Sequence, residues 1–201
     1  MRRFIYLISP KKIRPTFYND LRKVLATKKV NFFQLRLKNN SNYKILKIAK
    51  KIKIITNKFK VKLIINDNPK LAKKIQASGC HVGQLDAPFY LAKKILKKKI
   101  VGVTCHGSNK LVNRAIKDKV DYIALGSFFK SDLKPGAKKA GIKILRETKK
   151  KTKIPIVAIG GINNKNYKKL LRLGANYIAI SSFIWNNPAL KPEIAIKEFK
   201  Q

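Results

Sequence analysis

The stretch Ile-Pro-Ile-Val-Ala-Ile-Gly-Gly-Ile at residues 154–162, together with Tyr-Ile-Ala-Ile-Ser-Ser-Phe-Ile at residues 177–184, decides the fold. A Lys/Leu-rich segment joins the two apolar runs, so the order indicates strand, helix, strand. Nearly continuous apolar strands are typical of parallel sheets that helices cover on both faces. The runs end in Gly160-Gly161 and Ser181-Ser182, whose backbone N–H and hydroxyl groups suit a bound phosphate. The alternative is that Gly160-Gly161 is only a tight strand-to-helix turn.

The same strand–helix alternation extends over the whole chain. Strands are predicted at 4–8, 31–37, 61–65, 80–82, 100–105, 122–125, 156–159 and 177–180. Helices are predicted around 20–27, after a Ser41 cap, and at 69–77, 88–96, 108–116, 142–149 and 192–199. Eight units of about 25 residues predict a (β/α)8 TIM barrel with parallel strands, in a single domain spanning 1–201. The alternative, a doubly wound open sheet, usually has fewer strands and carries its phosphate turn near the first one.

The chain is strongly basic, with 48 Lys and Arg residues against nine Asp and Glu and a net charge of +39. Such a charge invites a nucleic-acid interpretation. However, the lysines are spread over every predicted helix, and the aromatic residues mostly lie within apolar runs rather than between basic residues. We therefore expect solvated helix faces, no specific nucleic-acid partner, and a field that attracts small phosphorylated substrates. Weak, salt-sensitive attraction to polyanions is also expected.

The sequence also indicates the cellular compartment of the protein. The first apolar run, residues 4–8, is shorter than a secretory signal needs, and no run is long enough to cross a membrane. Both cysteines lie in apolar runs, which predicts reduced thiols and a cytoplasmic protein without a membrane partner. The oligomeric state stays open, a homo-oligomer included.

Polar side chains follow the predicted strands, and the loops after barrel strands carry the site in this architecture. Gln34, Arg36 and Lys38 alternate along the second strand, so their side chains share one face. Arg and Lys on such a face suit a pyrophosphate. Two of the few acidic residues, Asp67 and Asp86, follow the third and fourth strands and predict a Mg²⁺ site. The alternative is that each aspartate caps the next helix.

Two Cys-His pairs, Cys80-His81 and Cys105-His106, raise the possibilities of a zinc site and of a Cys–His nucleophile. Neither pair has the usual ligand spacing or a third member. Structural thiols and a hydrogen-bonded histidine are therefore the expectation.

Seven motifs resemble, in order, those of the thiamine phosphate synthase family. They are Gln-Leu-Arg-Leu-Lys (34–38), Ile-Ile-Asn-Asp (64–67), His-Val-Gly-Gln-Leu-Asp (81–86), Gly-Val-Thr-Cys-His (102–106), Gly-Ser-Phe-Phe (126–129), Ala-Ile-Gly-Gly-Ile (158–162) and Ile-Ser-Ser (180–182). The resemblance covers nearly the whole chain. It implies a (β/α)8 transferase of thiamine biosynthesis that joins hydroxymethylpyrimidine pyrophosphate to a thiazole phosphate and releases pyrophosphate.

The resemblance also implies roles for individual residues. The residues implied to hold the pyrimidine pyrophosphate are Gln34, Arg36, Lys38 and Asn66. Thr104 and Lys134 are implied to lie beside the pyrophosphate group, and Thr104 is at a position where the family usually has Ser. Arg36, Lys38, Thr104 and Lys134 would be the catalytic residues, because they stabilise charge on the leaving group. Asp67 and Asp86 would bind Mg²⁺. Ser131, Gly161 and Ser181 would bind the thiazole phosphate, and Ile180 is counted with the substrate-binding residues.

The loop after the sixth strand departs from the family pattern. The family commonly has Pro-Thr-x-Thr-Lys there, whereas this chain has Lys-Ser-Asp-Leu-Lys at 130–134, so one hydroxyl is missing. Residues 130–141 are interpreted as a lid that excludes water. The departure keeps a thiazole tautomerase as an alternative. That relative typically lacks the two acids and has His after the strand-six Gly, where this chain has Ser127. A non-catalytic polyanion-binding protein is the alternative from charge alone.

Overall fold

The computed structural model describes residues 4–130 and 139–200, and within them eight parallel strands close into a barrel. The strands are β1 (Ile5–Ile8), β2 (Val30–Leu35), β3 (Lys62–Asn66), β4 (Gly79–Val82), β5 (Ile100–His106), β6 (Tyr122–Leu125), β7 (Ile156–Ile159) and β8 (Tyr177–Ile180). Each strand pairs with its neighbours in sequence, and β1 closes the barrel against β8. The predicted (β/α)8 fold with parallel strands is confirmed.

Helices follow the strands and cover the outside of the barrel. They are α1 (Phe17–Ala26), α2 (Asn42–Lys58), α3 (Pro69–Lys74), α4 (Phe89–Leu96), α5 (Asn109–Lys117), α6 (Lys143–Lys151), α7 (Tyr167–Arg172), α8 (Ser182–Trp185) and α9 (Pro192–Ala195), with a 3₁₀ turn at Ile196–Glu198. The predicted Ser41 cap is present, since its hydroxyl accepts from the Lys44 N–H at 3.3 Å. None of the helices within the described part of the chain is both long and apolar enough to cross a membrane.

Period-2 alternation divides the buried residues into two cores. Outward residues such as Ile5 and Leu7 pack under the helices in the larger core. Inward residues fill the barrel and form the smaller core: Tyr6, Ile8, Phe32, Ile64, Tyr122, Ala124, Val157 and Ala179. Because the inner layer is closed by large rings, the ligand-sized space lies at the carboxyl ends of the strands.

Several predicted boundaries differ from the structure. Strand β2 ends at Leu35, so Arg36 and Lys38 lie in the loop after it rather than within the strand. Helix α3 ends at Lys74, three residues earlier than predicted. The predicted closing helix is divided into α9 and the 3₁₀ turn, and the short α8 after β8 was not predicted. Element ends are the least sharply defined part of a helix or strand, and α8 is a single turn of four residues.

Candidate active site

One cavity of about 650 Å³ opens at the carboxyl ends of the strands. It is lined by every predicted site residue that the structure describes: Gln34, Arg36, Lys38, Asn66, Asp67, Asp86, Thr104, Gly161, Ile180 and Ser181. Ser131 and Lys134 lie outside the described residues, as does most of the predicted lid. The predicted site residues come together because parallel strands bring all their carboxyl ends to one mouth of the barrel.

Ser9, at the end of β1, ties the two sides of this mouth together. Its hydroxyl accepts from the Arg36 N–H at 3.0 Å, while its carbonyl accepts from the Ser181 hydroxyl at 3.1 Å. Ser9 is buried, and its hydrogen bond with Ser181 is shielded from water. The Ser181 hydroxyl proton is therefore donated within the protein, to the Ser9 carbonyl. Ser182, which also lines the cavity, has no side-chain hydrogen bond to the described residues.

Sequence reasoning missed Ser9 because it considered the end of every strand except the first. The Ser9-Pro10 pair directly after the first apolar run was the available signal. It also missed Lys130, whose side chain is exposed at the edge of the cavity.

Asp67 and Asp86 lie next to each other at this mouth, and neither caps a helix. Asn68 is the cap of α3, accepting from the Leu71 N–H at 2.9 Å. Asp86 instead accepts from the Gly83 N–H at 2.7 Å and holds the β4–α4 turn. The capping interpretation of the two aspartates is therefore wrong. Both carboxylates are left on the cavity wall.

The electrostatics of Asp67 reflect this pairing. Burial, a hydrogen bond with Asp86 and repulsion by its charge raise the pKa of Asp67 from 3.8 to about 6. Lys38, with Nζ at 3.8 Å from Asp67 Oδ2, and Arg36 offset part of this rise. The backbone of Asp67 has φ of +63°, a conformation that Asn and Asp tolerate better than other side chains. Two acids held close at a cost in free energy are a feature of sites that bind a cation.

The raised pKa predicts how Asp67→Asn changes stability with pH. A carboxyl whose folded pKa exceeds its unfolded value stabilises the protein fully below about 3.8 and loses that contribution as pH rises through about 6. Asn removes this titration. In chelator, the melting temperature of Asp67→Asn relative to wild type should therefore be higher at pH 8 than at pH 4 by about 2–4 °C. Thermal unfolding followed by circular dichroism measures the difference.

Asp118→Asn is the control for this experiment, because Asp118 is a surface aspartate paired with Arg114 at 3.8 Å. It should follow the wild type at both pH values. If the melting temperature of Asp67→Asn relative to wild type is no higher at pH 8 than at pH 4, the cause given for the raised pKa is contradicted.

The two carboxylates fit Mg²⁺. This cation usually takes one or two protein carboxylates and completes its shell with water and substrate phosphate oxygens. Within the described ranges, no group of three or more His, Cys, Asp or Glu residues could hold a metal by itself. A dedicated all-protein cage of such ligands is thus not formed there. A metal shared with a phosphorylated ligand is the arrangement that the Asp67–Asp86 pair suits.

The structure explains why residues 160 and 161 are glycines, which the sequence did not reveal. Both have positive φ values, +105° and +60°. A Cβ on Gly161 would lie 2.2 Å from the Lys130 carbonyl oxygen, and one on Gly160 would lie 2.0 Å from the Ser127 hydroxyl. The turn after β7 therefore packs directly on the backbone after β6. Seven residues separate the end of β7 from the start of α7, so the two glycines are not a tight strand-to-helix turn, and they also line the cavity.

Both cysteines are buried free thiols, and burial raises the pKa of each to about 12. Such thiols are protonated at neutral pH and are not nucleophiles. His81 is buried and hydrogen-bonded through both ring nitrogens, to Tyr122 and to Thr104. The expectation of structural thiols and a hydrogen-bonded histidine is confirmed for Cys80, Cys105 and His81.

The chain is similar along most of its length to known proteins of one family. A family model described as thiamine monophosphate synthase matches residues 5–184. A thiamine-phosphate synthase of Pelagibacter ubique is 54% identical over 200 residues, covering 99% of this chain and 97% of that protein. One from Clostridium tetani is 37% identical over 191 residues, covering 93% and 90%.

A solved structure is also similar. The thiamine phosphate pyrophosphorylase from Pyrococcus furiosus superposes with a TM-score of 0.86 at 28% identity, covering 98% of this chain and 93% of that one. The match spans the whole barrel and therefore includes the mouth described above. The chain belongs to the thiamine monophosphate synthase family and is an enzyme, a transferase of the thiamine-phosphate synthase type.

Proposed function

We propose that the protein condenses hydroxymethylpyrimidine pyrophosphate with hydroxyethylthiazole phosphate, forming thiamine phosphate and releasing pyrophosphate. One observation carries the proposal. Arg36, Lys38 and the Asp67–Asp86 pair line the same cavity as the Gly160-Gly161 turn and Ser182. We assign the two phosphate-bearing substrates to these two groups of residues, the pyrophosphate after β2–β4 and the thiazole phosphate after β7–β8.

The chemistry matches a leaving-group mechanism. Breaking the C–O bond to pyrophosphate leaves a resonance-stabilised pyrimidine cation, which the thiazole nitrogen then attacks. Arg36 and Lys38 would stabilise the negative charge that develops on the leaving group. Mg²⁺ held by Asp67 and Asp86 would supply further neutralisation of that charge. The reaction requires little proton transfer. This agrees with a cavity in which His81 is a neutral, hydrogen-bonded side chain.

The thiazole phosphate would lie at the turns after β7 and β8. Gly161 and Ser182 line this part of the cavity, and Asn166 fixes the turn by donating to the Gly161 carbonyl at 3.0 Å. Because the Ser181 hydroxyl donates to Ser9, the backbone N–H groups and the Ser182 hydroxyl are the donors proposed for the phosphate. Holding both substrates in one cavity places the nucleophile beside the cation.

A two-substrate assay tests the function. Pyrophosphate release should require both substrates and Mg²⁺, should stop in excess chelator, and should return when Mg²⁺ is added back. Pyrophosphate release from the pyrimidine substrate alone would identify a hydrolase instead. Isomerisation of a thiazole phosphate alone without Mg²⁺ would favour the tautomerase. No turnover under any of these conditions would reject the proposed function.

A further inference from the structure

A chain of four hydrogen bonds crosses the floor of the cavity. Gln34 Nε2 donates to the Tyr6 hydroxyl at 3.0 Å, and the Tyr6 and Tyr122 hydroxyls lie 2.8 Å apart. The Tyr122 hydroxyl lies 2.9 Å from His81 Nδ1, and His81 Nε2 lies 2.7 Å from Thr104 Oγ1. The chain thus joins Gln34 on β2 to Thr104 on β5. Both ends line the cavity.

The two phenols in the middle of the chain are protonated at physiological pH, because burial raises the pKa values of Tyr6 and Tyr122 well above the ordinary tyrosine value. Each phenol therefore carries one proton and can donate only once. A ring nitrogen of His81 that accepts a hydrogen bond carries no proton, so the direction of the Tyr122–His81 bond sets the state of the imidazole.

This proton count fixes the direction of the whole chain. Since Gln34 presents its amide N–H to Tyr6, the Tyr6 proton must go to the Tyr122 oxygen. If it did not, the Tyr6 proton would have no acceptor among the described residues, and a buried unpaired hydroxyl is strongly disfavoured. Tyr122 then donates to His81 Nδ1, which makes His81 the Nε2–H tautomer, and His81 donates to Thr104. The Thr104 hydroxyl proton is left for a ligand.

The two ends of the chain therefore present complementary groups to the cavity. The Gln34 carbonyl oxygen has no hydrogen bond to the described residues and is open to the cavity, so it can accept from a ligand N–H. The Thr104 hydroxyl, already accepting from His81, can donate to an anionic oxygen. In the reverse direction Gln34 would present N–H groups, and Thr104 would present only lone pairs, which repel an anion.

We propose that Tyr6, Tyr122 and His81 are positioning residues that form a one-way hydrogen-bond relay, which orients the Gln34 carbonyl towards a ligand N–H and the Thr104 proton towards an anionic ligand oxygen. The inference deepens the proposed function, and it rests on that function for the identity of the ligand. A planar ring with an N–H donor, linked to a pyrophosphate, satisfies both ends at once. A ligand lacking either group would leave one end without a partner.

Packing holds the relay in place. The His81 ring stacks on Tyr122 with centroids 5.6 Å apart and an interplanar angle of 11°. A Cβ on Gly102 would lie 1.9 Å from the Tyr122 ring, so this strand position is kept open for the phenol. Tyr6 meets Tyr122 edge-on at 5.7 Å. The rings cannot rotate freely, and the hydroxyls are thus held at hydrogen-bonding distance.

The histidine tautomer tests the relay directly. The chain has two histidines, and the His106→Gln variant serves only to assign the signals of His81 in ¹⁵N-histidine-labelled protein. The ¹⁵N shifts of wild-type His81 should show a neutral ring protonated at Nε2. A ring protonated at Nδ1 would overturn the proposal, whatever the catalytic activity.

Tyr122→Phe tests what the relay does for ligands. It removes one hydroxyl and keeps the ring, so His81 Nδ1 loses its donor and the tautomer should become mixed. Binding of inorganic pyrophosphate with Mg²⁺, measured by calorimetry, should weaken by about 10- to 100-fold, the usual loss for a hydrogen bond to a charged group. Tyr6→Phe breaks the previous link and is the second variant if Tyr122→Phe does not fold.

Tyr177→Phe is the matched control. Tyr177 packs against the same inner core, but its hydroxyl accepts from Asn31 at 3.1 Å and is not part of the relay. The same chemical change should leave the His81 tautomer unchanged and pyrophosphate affinity within about twofold. If Tyr177→Phe lost as much pyrophosphate affinity as Tyr122→Phe, the loss would be caused by altered packing, and the relay would be overturned.

Failure of this inference can be told apart from failure of the proposed function. A wild-type protein that turns over both substrates but holds His81 as the Nδ1–H tautomer keeps the function and loses the relay. A protein with no turnover, whose His81 is the Nε2–H tautomer and whose pyrophosphate binding depends on Tyr122, keeps the relay and loses the function.

Discussion

Asp67→Asn should lower the rate of thiamine phosphate formation on the order of a thousandfold while the barrel stays folded. The carboxylate faces Asp86 and Lys38 at the mouth, where the pyrophosphate and its cation are proposed to lie. Asn keeps the size of the side chain, and it tolerates the backbone φ of +63°. The loss should therefore come from charge and not from misfolding. Steady-state kinetics over a range of Mg²⁺ concentrations, with circular dichroism for folding, measure both.

The double variant sharpens this prediction. If Asp67 and Asp86 act as one unit, Asp67→Asn with Asp86→Asn should cost little more than either change alone, since the unit is already broken. Asp118→Asn removes an equal charge at the surface and should keep wild-type kinetics. Near-normal turnover in Asp67→Asn would reject the metal assignment. Fully additive losses would indicate that the two aspartates have separate roles.

Gly161→Ala should lower kcat/KM for the thiazole phosphate by about a hundredfold. A methyl group there meets the Lys130 carbonyl oxygen at 2.2 Å and Phe129 Cβ at 2.8 Å, so the backbone after β6 must move. Alanine at a φ of +60° also costs about 1–2 kcal/mol of stability. Because the displaced backbone borders the cavity, we expect a larger change for the thiazole phosphate than for the pyrimidine pyrophosphate. Kinetics with each substrate varied in turn measure the difference.

Gly174→Ala is the matched control for this change. Gly174 also has a positive φ, +109°, but it lies in the turn before β8 and does not line the cavity, and a Cβ there would first meet the Lys149 side chain, at 2.7 Å. Gly174→Ala should lose stability, while its kinetics stay within about twofold of wild type. Equal effects on both substrates in Gly161→Ala would show that the variant disturbs the whole mouth and would contradict a phosphate position next to this turn.

The sequence predicted correctly which residues line most of the cavity mouth, and the arrangement of the strands explains why. Gln34, Asn66 and Thr104 all come at or near the end of an apolar run, and parallel strands bring such ends together. Arg36 and Lys38 were placed on the right face although β2 ends before them. The loop continues the alternation of the strand for three residues, with Leu37 buried between them. Their roles in binding remain predictions.

Other features depended on contacts between residues far apart in the chain. Tyr6 and Tyr122 read as apolar core residues, and their hydrogen bond joins positions 116 residues apart. His81 and Tyr122 are 41 residues apart. Local patterns carry no information about which ring nitrogen meets which hydroxyl. That pairing follows from strand register, for example the alignment of Gly102 with Tyr122 between β5 and β6.

The sequence by itself determined the parallel barrel and the set of polar residues at its mouth, because hydrophobic periodicity and the alternation of strands with helices are local properties of the chain. Only the tertiary structure decided why residues 160 and 161 are glycines, what Ser9 connects, and which way the hydrogen bonds of the cavity floor run. These features arise where side chains and backbone from different strands meet at close range, and their geometry is set by the closure of the barrel.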